Sequence, residues 1–259
     1  MLSYQHAYHA GNPADVHKHY ALAEIIRLLT NKERGISYLE THAGRGLYDL
    51  SSDQAQKTGE AAEGIALLDP QGTAFADALS IVRTRYGENA YPGSPLVASS
   101  LLRPHDHIVL MERHPQEHAA LKRAVRGTGA EVHRRDGYEG ARALSPMEPR
   151  RGLVLIDPPY EVKTEYEEAA RLALDIRARW PEAAVMVWYP VLAAGRHEAL
   201  LSALVPGEPL VDEVAFALKE GKGMTGSGLA ILGAPYGTEA AMAEVLQRGQ
   251  PVLRRPARV

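Results

Sequence analysis

Apolar positions along the chain follow two alternating rhythms, one of helical and one of strand period. From Asn12 to Gly35, NPADVHKHYALAEIIRLLTNKERG places Val16, Tyr20, Ala23 and Ile26 at helical spacing. Asn12 suits the cap, Pro13 the first helical position and Gly35 the stop. His19 falls inside that apolar face and His17 outside it. ISYLETHAGRG then reads as a short strand entering a glycine-containing turn. From Pro92 onward, SPLVASSLL predicts a helix, HIVLMER a strand, HPQEHAALKRAV a helix and AEVHRRDG a strand. RGLVLIDPPY predicts a strand, TEYEEAARLALDIRARW a helix, AAVMVWYP a strand and HEALLSALV a helix. DEVAFALKE and SGLAILGAP predict a closing antiparallel hairpin, and the tail after residue 248 reads as loose. Strands alternating with helices predict a mostly parallel, doubly wound α/β sheet that binds its ligand at the strands' carboxyl ends.

Residues 47–92 interrupt this alternation with polar, Ala-rich, helix-compatible runs, GEAAEGIALL and FADALSIVRTRYG. They predict an inserted helical subdomain, leaving residues 1–46 and 93–259 as one Rossmann-like domain. A net charge of −3 excludes a generally basic nucleic-acid coat but leaves room for local patches at Arg134-Arg135, Arg150-Arg151 and Arg254-Arg255. The absence of cysteine excludes disulfides, thiolate nucleophiles and Cys-ligated metals together. No apolar run approaches the ~18 residues of a membrane span, and MLSYQHAYHAG lacks a signal-peptide core, so the expected location is the cytoplasm.

In a sheet of this kind the residues just after successive strands converge on one crevice. Here they are His42-Ala-Gly44-Arg-Gly46, Glu112, Asp136-Gly137 and Asp157-Pro-Pro-Tyr160. The first turn carries GxG without the third glycine of a dinucleotide fingerprint. Glu112 arrives 68 residues after Gly44, where a compact unit places its ribose-binding acid after ~20. An insertion at residues 47–92 accounts for that gap. Asp157-Pro-Pro-Tyr160 is the most specific signal. Two prolines hold the backbone extended, remove its N–H donors and leave carbonyls bare beside a carboxylate. That makes an acceptor-only corner suited to an exocyclic –NH2, with Tyr160 as an aromatic plane for the base that carries it.

Five segments, LSYQHAYHAGNPADVHKH, YLETHAGRG, YPGSP, DPPYEVKTEY and WYPV, resemble the RlmJ family, the 23S ribosomal RNA adenine-N6 methyltransferases. The resemblance runs to about residue 236 and implies a class I S-adenosylmethionine-dependent methyltransferase fold with an inserted helical subdomain. Carried onto this chain, it implies a methyl-donor site of His19, His42, Ser94, Glu112, Asp136 and Gly137. Asp157 would be the catalytic acceptor for the adenine amine, Pro158 would lend its carbonyl, and Tyr160 would stack on the base. Tyr4 would touch the RNA. The implied substrate is adenine 2030 of 23S rRNA, presented single-stranded or flipped.

Other readings share some of these residues. A methyltransferase of DNA adenine or another amine would keep the corner and change the recognition surface. A non-catalytic nucleotide-binding module would not need it. A metal-dependent phosphoesterase would use the histidines His6, His9, His17, His19 and His42. However, His17 and His19 on one helix point ~160° apart and cannot share an ion, so no metal is expected. Lys18, Arg45, Lys163, Lys219 and Lys222 are candidate phosphate holders.

Overall fold

The computed structural model describes residues 6–216, 223–250 and 252–255. Helix α1 (Pro13–Thr30) precedes β1 (Ser37–Glu40). β2 (Leu47–Asp49), α2 (Asp53–Thr58), α3 (Ala74–Tyr86) and β3 (Ala90–Pro92) follow. Then come α4 (Ser94–Leu101), β4 (His107–Met111), α5 (Pro115–Ala124), β5 (Glu131–His133), α6 (Gly137–Leu144) and β6 (Gly152–Ile156). The chain continues through α7 (Glu165–Arg179), β7 (Ala183–Leu192), α8 (His197–Leu204), β8 (Leu210–Ala215), β9 (Met224–Leu232) and α9 (Thr238–Arg248).

Seven strands form one sheet in the order β5-β4-β1-β6-β7-β9-β8. Pairings are parallel except where β9 inserts antiparallel between β7 and β8. The chain winds outward from β1 through β4 to β5 and then returns to β6 on the other side of β1. The switch point therefore lies at β1, and the carboxyl ends of β1, β4 and β6 frame a crevice there. This is the mostly parallel, doubly wound sheet that the sequence predicts. The central strands β4 and β6 are mainly apolar because both faces are covered. In β6, Leu153 and Leu155 join the cluster under α1, α3, α4 and α9, while Val154 and Ile156 join the cluster under α7 and α8.

Three elements differ from expectation. α1 was expected to be amphipathic, with His17 outside its apolar face, yet His17 is fully buried. The helix packs against β9, α9, α3 and α4, and Arg27 near its end is its exposed residue. Residues 47–92 are helical only in part. Their two ends are joined as an antiparallel ribbon, Tyr48 opposite Tyr91, and Phe75 stacks on Tyr20 of α1 at 5.8 Å. Finally, the segment before the tail forms α9, which buries Ala241, Met242 and Val245 beside α1, and Val252 and Leu253 are buried as well. Asn12 caps α1 as expected, accepting from the Asp15 N–H at 2.9 Å.

Candidate active site

The turn after β1 supplies one wall of the crevice. Gly44, at φ +62, turns its N–H onto the Glu112 carboxylate at 2.9 Å, and the His114 N–H reaches the other oxygen at 2.7 Å. Glu112 follows β4 directly, so strand geometry alone delivers it to the turn. Burial raises its pKa against those two backbone bonds. Asp136 caps α6, accepting from the Tyr138 and Glu139 N–H groups at 3.0 and 3.1 Å, with Arg113 at 3.3 Å on its second oxygen. Gly137 sits so close to the first turn that a Cβ there would lie 2.0 Å from the Thr41 carbonyl oxygen.

His42 accompanies this wall, with Thr41 Oγ1 at 2.8 Å from Nδ1 and the Tyr138 ring at 5.1 Å. Burial lowers its pKa, opposed by Asp157 and Asp136. Ser94, the first residue of α4, donates to Glu40 Oε1 at 2.5 Å, and the Tyr38 hydroxyl donates to Oε2 at 2.9 Å. Burial lifts the Glu40 carboxyl to about 8 despite both bonds. His19 is buried on α1 with Nδ1 2.8 Å from the Tyr91 hydroxyl, and burial pushes it down to about 3. It is a neutral imidazole at neutral pH.

These residues fit a methyl-sulfonium nucleoside. Glu112 spends only one acceptor position per oxygen on the protein, which leaves capacity to accept from the hydroxyls of a ligand. Two buried polar atoms at this wall, Tyr138 Oη and His114 Nδ1, have no protein partner and remain available to a ligand.

Asp157 ends β6 and forms the opposite wall. Its Oδ2 takes the Lys18 ammonium at 2.6 Å, and Oδ1 has no partner among the described residues. No protein donor among the described residues reaches the Pro158 carbonyl. A cation thus stands against the carboxylate that ends β6. Lys18 was one of the candidate phosphate holders, with plain surface charge as the alternative. Instead it is buried in an ion-paired line, Asp157–Lys18–Asp15–His6, with successive separations of 2.6, 3.4 and 2.8 Å. Although burial works against the charge, His6, Lys18 and His19 hold Asp15 far below the usual carboxylate range.

Tyr160 adopts φ 53, a left-handed conformation uncommon for a bulky residue. This turns its ring inward, against Tyr166 at 4.5 Å, and its hydroxyl donates to the Trp188 carbonyl at 2.6 Å. Only 8% of the residue is exposed. Arg45, another candidate phosphate holder, is bound bidentately by Glu117 at 2.8 and 2.7 Å. Tyr4, Lys219 and Lys222 lie outside the described residues.

Asp15, Lys18 and Glu40 were not singled out from the sequence as parts of the catalytic pocket. Glu40 could have been found, because it ends β1 and so belongs with the other strand-end acids. Asp15 and Lys18 share a helix face at i,i+3, a visible spacing, but nothing in it says that Asp157 lies opposite. Among the described residues no three His, Asp or Glu side chains group as metal ligands. No helix there is long and apolar enough to cross a membrane.

Comparison with known proteins agrees with this geometry. The family model described as "Ribosomal RNA large subunit methyltransferase D, RlmJ" matches residues 33–255. The ribosomal RNA large subunit methyltransferase J of Escherichia coli is 37% identical over 95% of this chain and 92% of its own. The Haemophilus influenzae protein of the same name is 36% identical over the same shares. Among solved structures, protein LPL1258 of Legionella pneumophila superposes with a TM-score of 0.82 at 32% identity, covering 94% of this chain and 95% of that one.

Proposed function

The chain belongs to the RlmJ family of ribosomal RNA large subunit methyltransferases, and on that footing we propose that it methylates the N6 amine of an adenine in 23S rRNA. The observation that carries this reading is a pair of acceptors at the carboxyl end of β6, Asp157 Oδ1 and the Pro158 carbonyl, that have no protein donor among the described residues. An adenine amine carries two hydrogens and no basic lone pair, since that pair is delocalised into the ring. Accepting both hydrogens draws the nitrogen toward a tetrahedral lone pair and aims it across the crevice. Adenine 2030 is the position that the family resemblance supplies.

S-adenosylmethionine, when bound, supplies an electrophilic methyl group. Glu112 would hold its ribose, Asp136 and Gly137 its adenine, and Ser94, His19 and His42 would border its methionyl end. All of these are acceptors, neutral donors or glycine backbone. Catalysis then rests on alignment, worth ~7–11 kcal/mol at its upper range. Asp157 does not need to be a strong base, because the methylated amine is acidic and gives up its proton to Asp157 Oδ1 or to water. Lys18 fixes Oδ2, so Oδ1 points one way. The base must leave its stack to reach this corner, which favours a single-stranded or flipped adenine. Tyr160 forms the surface beneath it, and Tyr4 would contact the RNA. Such an enzyme would work in the cytoplasm, where ribosomes assemble.

The test is methyl transfer from labelled S-adenosylmethionine to deproteinised 23S rRNA, mapped by mass spectrometry. Label should appear on one adenine N6, and Asp157→Ala should slow transfer about 10²–10⁴-fold. In calorimetric titration with S-adenosylhomocysteine, Glu112→Ala should weaken binding about tenfold while Asp157→Ala leaves it nearly unchanged. Label on another atom, or DNA outcompeting RNA, would overturn the substrate assignment.

A further inference from the structure

Behind the acceptor corner lies a second line of buried side chains that the proposed chemistry does not use. Trp188, on β7, donates its indole N–H to Ser227 Oγ at 2.8 Å. Ser227, on β9, lies 2.9 Å from His17 Nδ1, and His17 Nε2 lies 3.1 Å from Asp212 Oδ2 on β8. Arg255 approaches the other Asp212 oxygen at 3.4 Å. Ser227 and His17 are fully buried and Asp212 nearly so.

An indole N–H only donates and a carboxylate only accepts. With a neutral imidazole, Asp212 takes the Nε2 proton of His17 and Nδ1 accepts the Ser227 hydroxyl proton, which leaves the Ser227 oxygen free to accept from Trp188.

At its far end the line reaches the catalytic pocket. The Lys18 ammonium lies 5.3 Å from the centre of the Trp188 ring, within cation–π range, and 2.6 Å from Asp157. The Trp188 carbonyl receives the Tyr160 hydroxyl, and the two rings are 6.0 Å apart. Lys18 and His17 are consecutive on α1, so Lys18 faces the ring whose edge His17 helps to hold.

We propose that Asp212, His17 and Ser227 form a buried relay that positions Trp188, and through it holds the Lys18 ammonium on Asp157. These are positioning residues, since none touches the reacting atoms. The inference rests on the methyltransferase reading for its effect on rate, but the relay itself can be observed without it.

The experiment is a double-mutant cycle with steady-state kinetics on an RNA hairpin carrying the target adenine. Ser227→Ala should slow kcat about five- to tenfold, the size of one neutral hydrogen bond, with S-adenosylhomocysteine affinity within twofold of wild type. In a Trp188→Phe background, which keeps a ring but has no N–H, adding Ser227→Ala should change kcat less than twofold. His17→Leu should resemble Ser227→Ala, whereas His17→Asn, with Oδ1 near the place of Nδ1, should recover most of the rate. Equal effects of Ser227→Ala in both backgrounds, or a parallel loss of cofactor affinity, would overturn the proposal.

An NMR measurement separates failure of the relay from failure of the enzymatic reading. The indole proton resonance of Trp188, assigned by its loss in Trp188→Phe, should move upfield in Ser227→Ala. If wild type methylates no RNA, the methyltransferase reading falls and this resonance judges the relay. An unmoved resonance overturns the relay whatever the activity.

Discussion

On one side of the crevice, Gly44 and His114 turn backbone N–H groups onto Glu112, while Asp136 caps a helix that begins at Gly137. On the other, Asp157, Lys18, Asp15 and His6 form a line of side chains drawn from the N-terminal segment and the middle of the sequence. The first wall is assembled from loops anchored to neighbouring parallel strands, so its geometry follows from sheet register. The second exists only because α1 lies across the sheet and brings Lys18 to a residue 139 positions away. A wall of main chain tolerates changes of charge better than added volume. A wall of paired charges should show the reverse.

The largest effect expected from that contrast follows removal of the central cation. Lys18→Met leaves Asp15 and Asp157 without their shared partner in a largely buried setting, where breaking a pair is strongly unfavourable. Transfer should fall about 100-fold, while S-adenosylhomocysteine binds within twofold of wild type by calorimetry. Should cofactor affinity fall as far as the rate, the two walls are not separable.

The converse change adds one methyl group to the other wall. In Gly137→Ala the new Cβ would lie 2.0 Å from the Thr41 carbonyl oxygen and 2.9 Å from Thr41 Cβ, so the turn after β1 must shift. Cofactor affinity should drop about tenfold and the melting temperature by several degrees, a typical cost of overpacking. RNA affinity measured without cofactor should hardly move. A variant that binds cofactor normally would mean that this close approach is dispensable.

What could be read from the sequence divides along the same line. Glu112, Asp136 and Asp157 were legible because each ends a recognisable strand, and strand ends converge in a doubly wound sheet. DPPY was legible because two prolines have direct consequences for donors and acceptors. The place of Lys18 behind Asp157 was not legible, because a lysine on a helix carries no mark of what faces it. His17 was placed outside the apolar face for a related reason. Periodicity describes one face of α1, whereas β9, α9, α3 and α4 together bury most of the helix, His17 included. The Tyr48–Tyr91 ribbon escaped notice because three-residue strands give too little alternation to detect. Tyr160 looked like an open aromatic plane until its positive φ turned the ring inward.

The smallest expected effect concerns Glu40, which touches both walls. It accepts from Ser94 on the cofactor side, and its charge is felt by Asp157 and Lys18 on the other. Burial lifts its carboxyl from an ordinary 4.5 to about 8, against the bonds from Ser94 and Tyr38. In the unfolded chain it ionises near 4.5, so across this window the folded state holds a proton that the unfolded state has released. Stability attributable to this group is intact below about 4.5, drains away as pH rises, and is fully lost above about 8. Glu40→Gln keeps hydrogen-bonding capacity and cannot ionise. Its melting temperature should therefore gain on wild type by a few degrees between pH 5 and pH 8. A gap independent of pH would mean that Glu40 is ionised in the fold, and would make it a member of the charged line with Lys18 and Asp157.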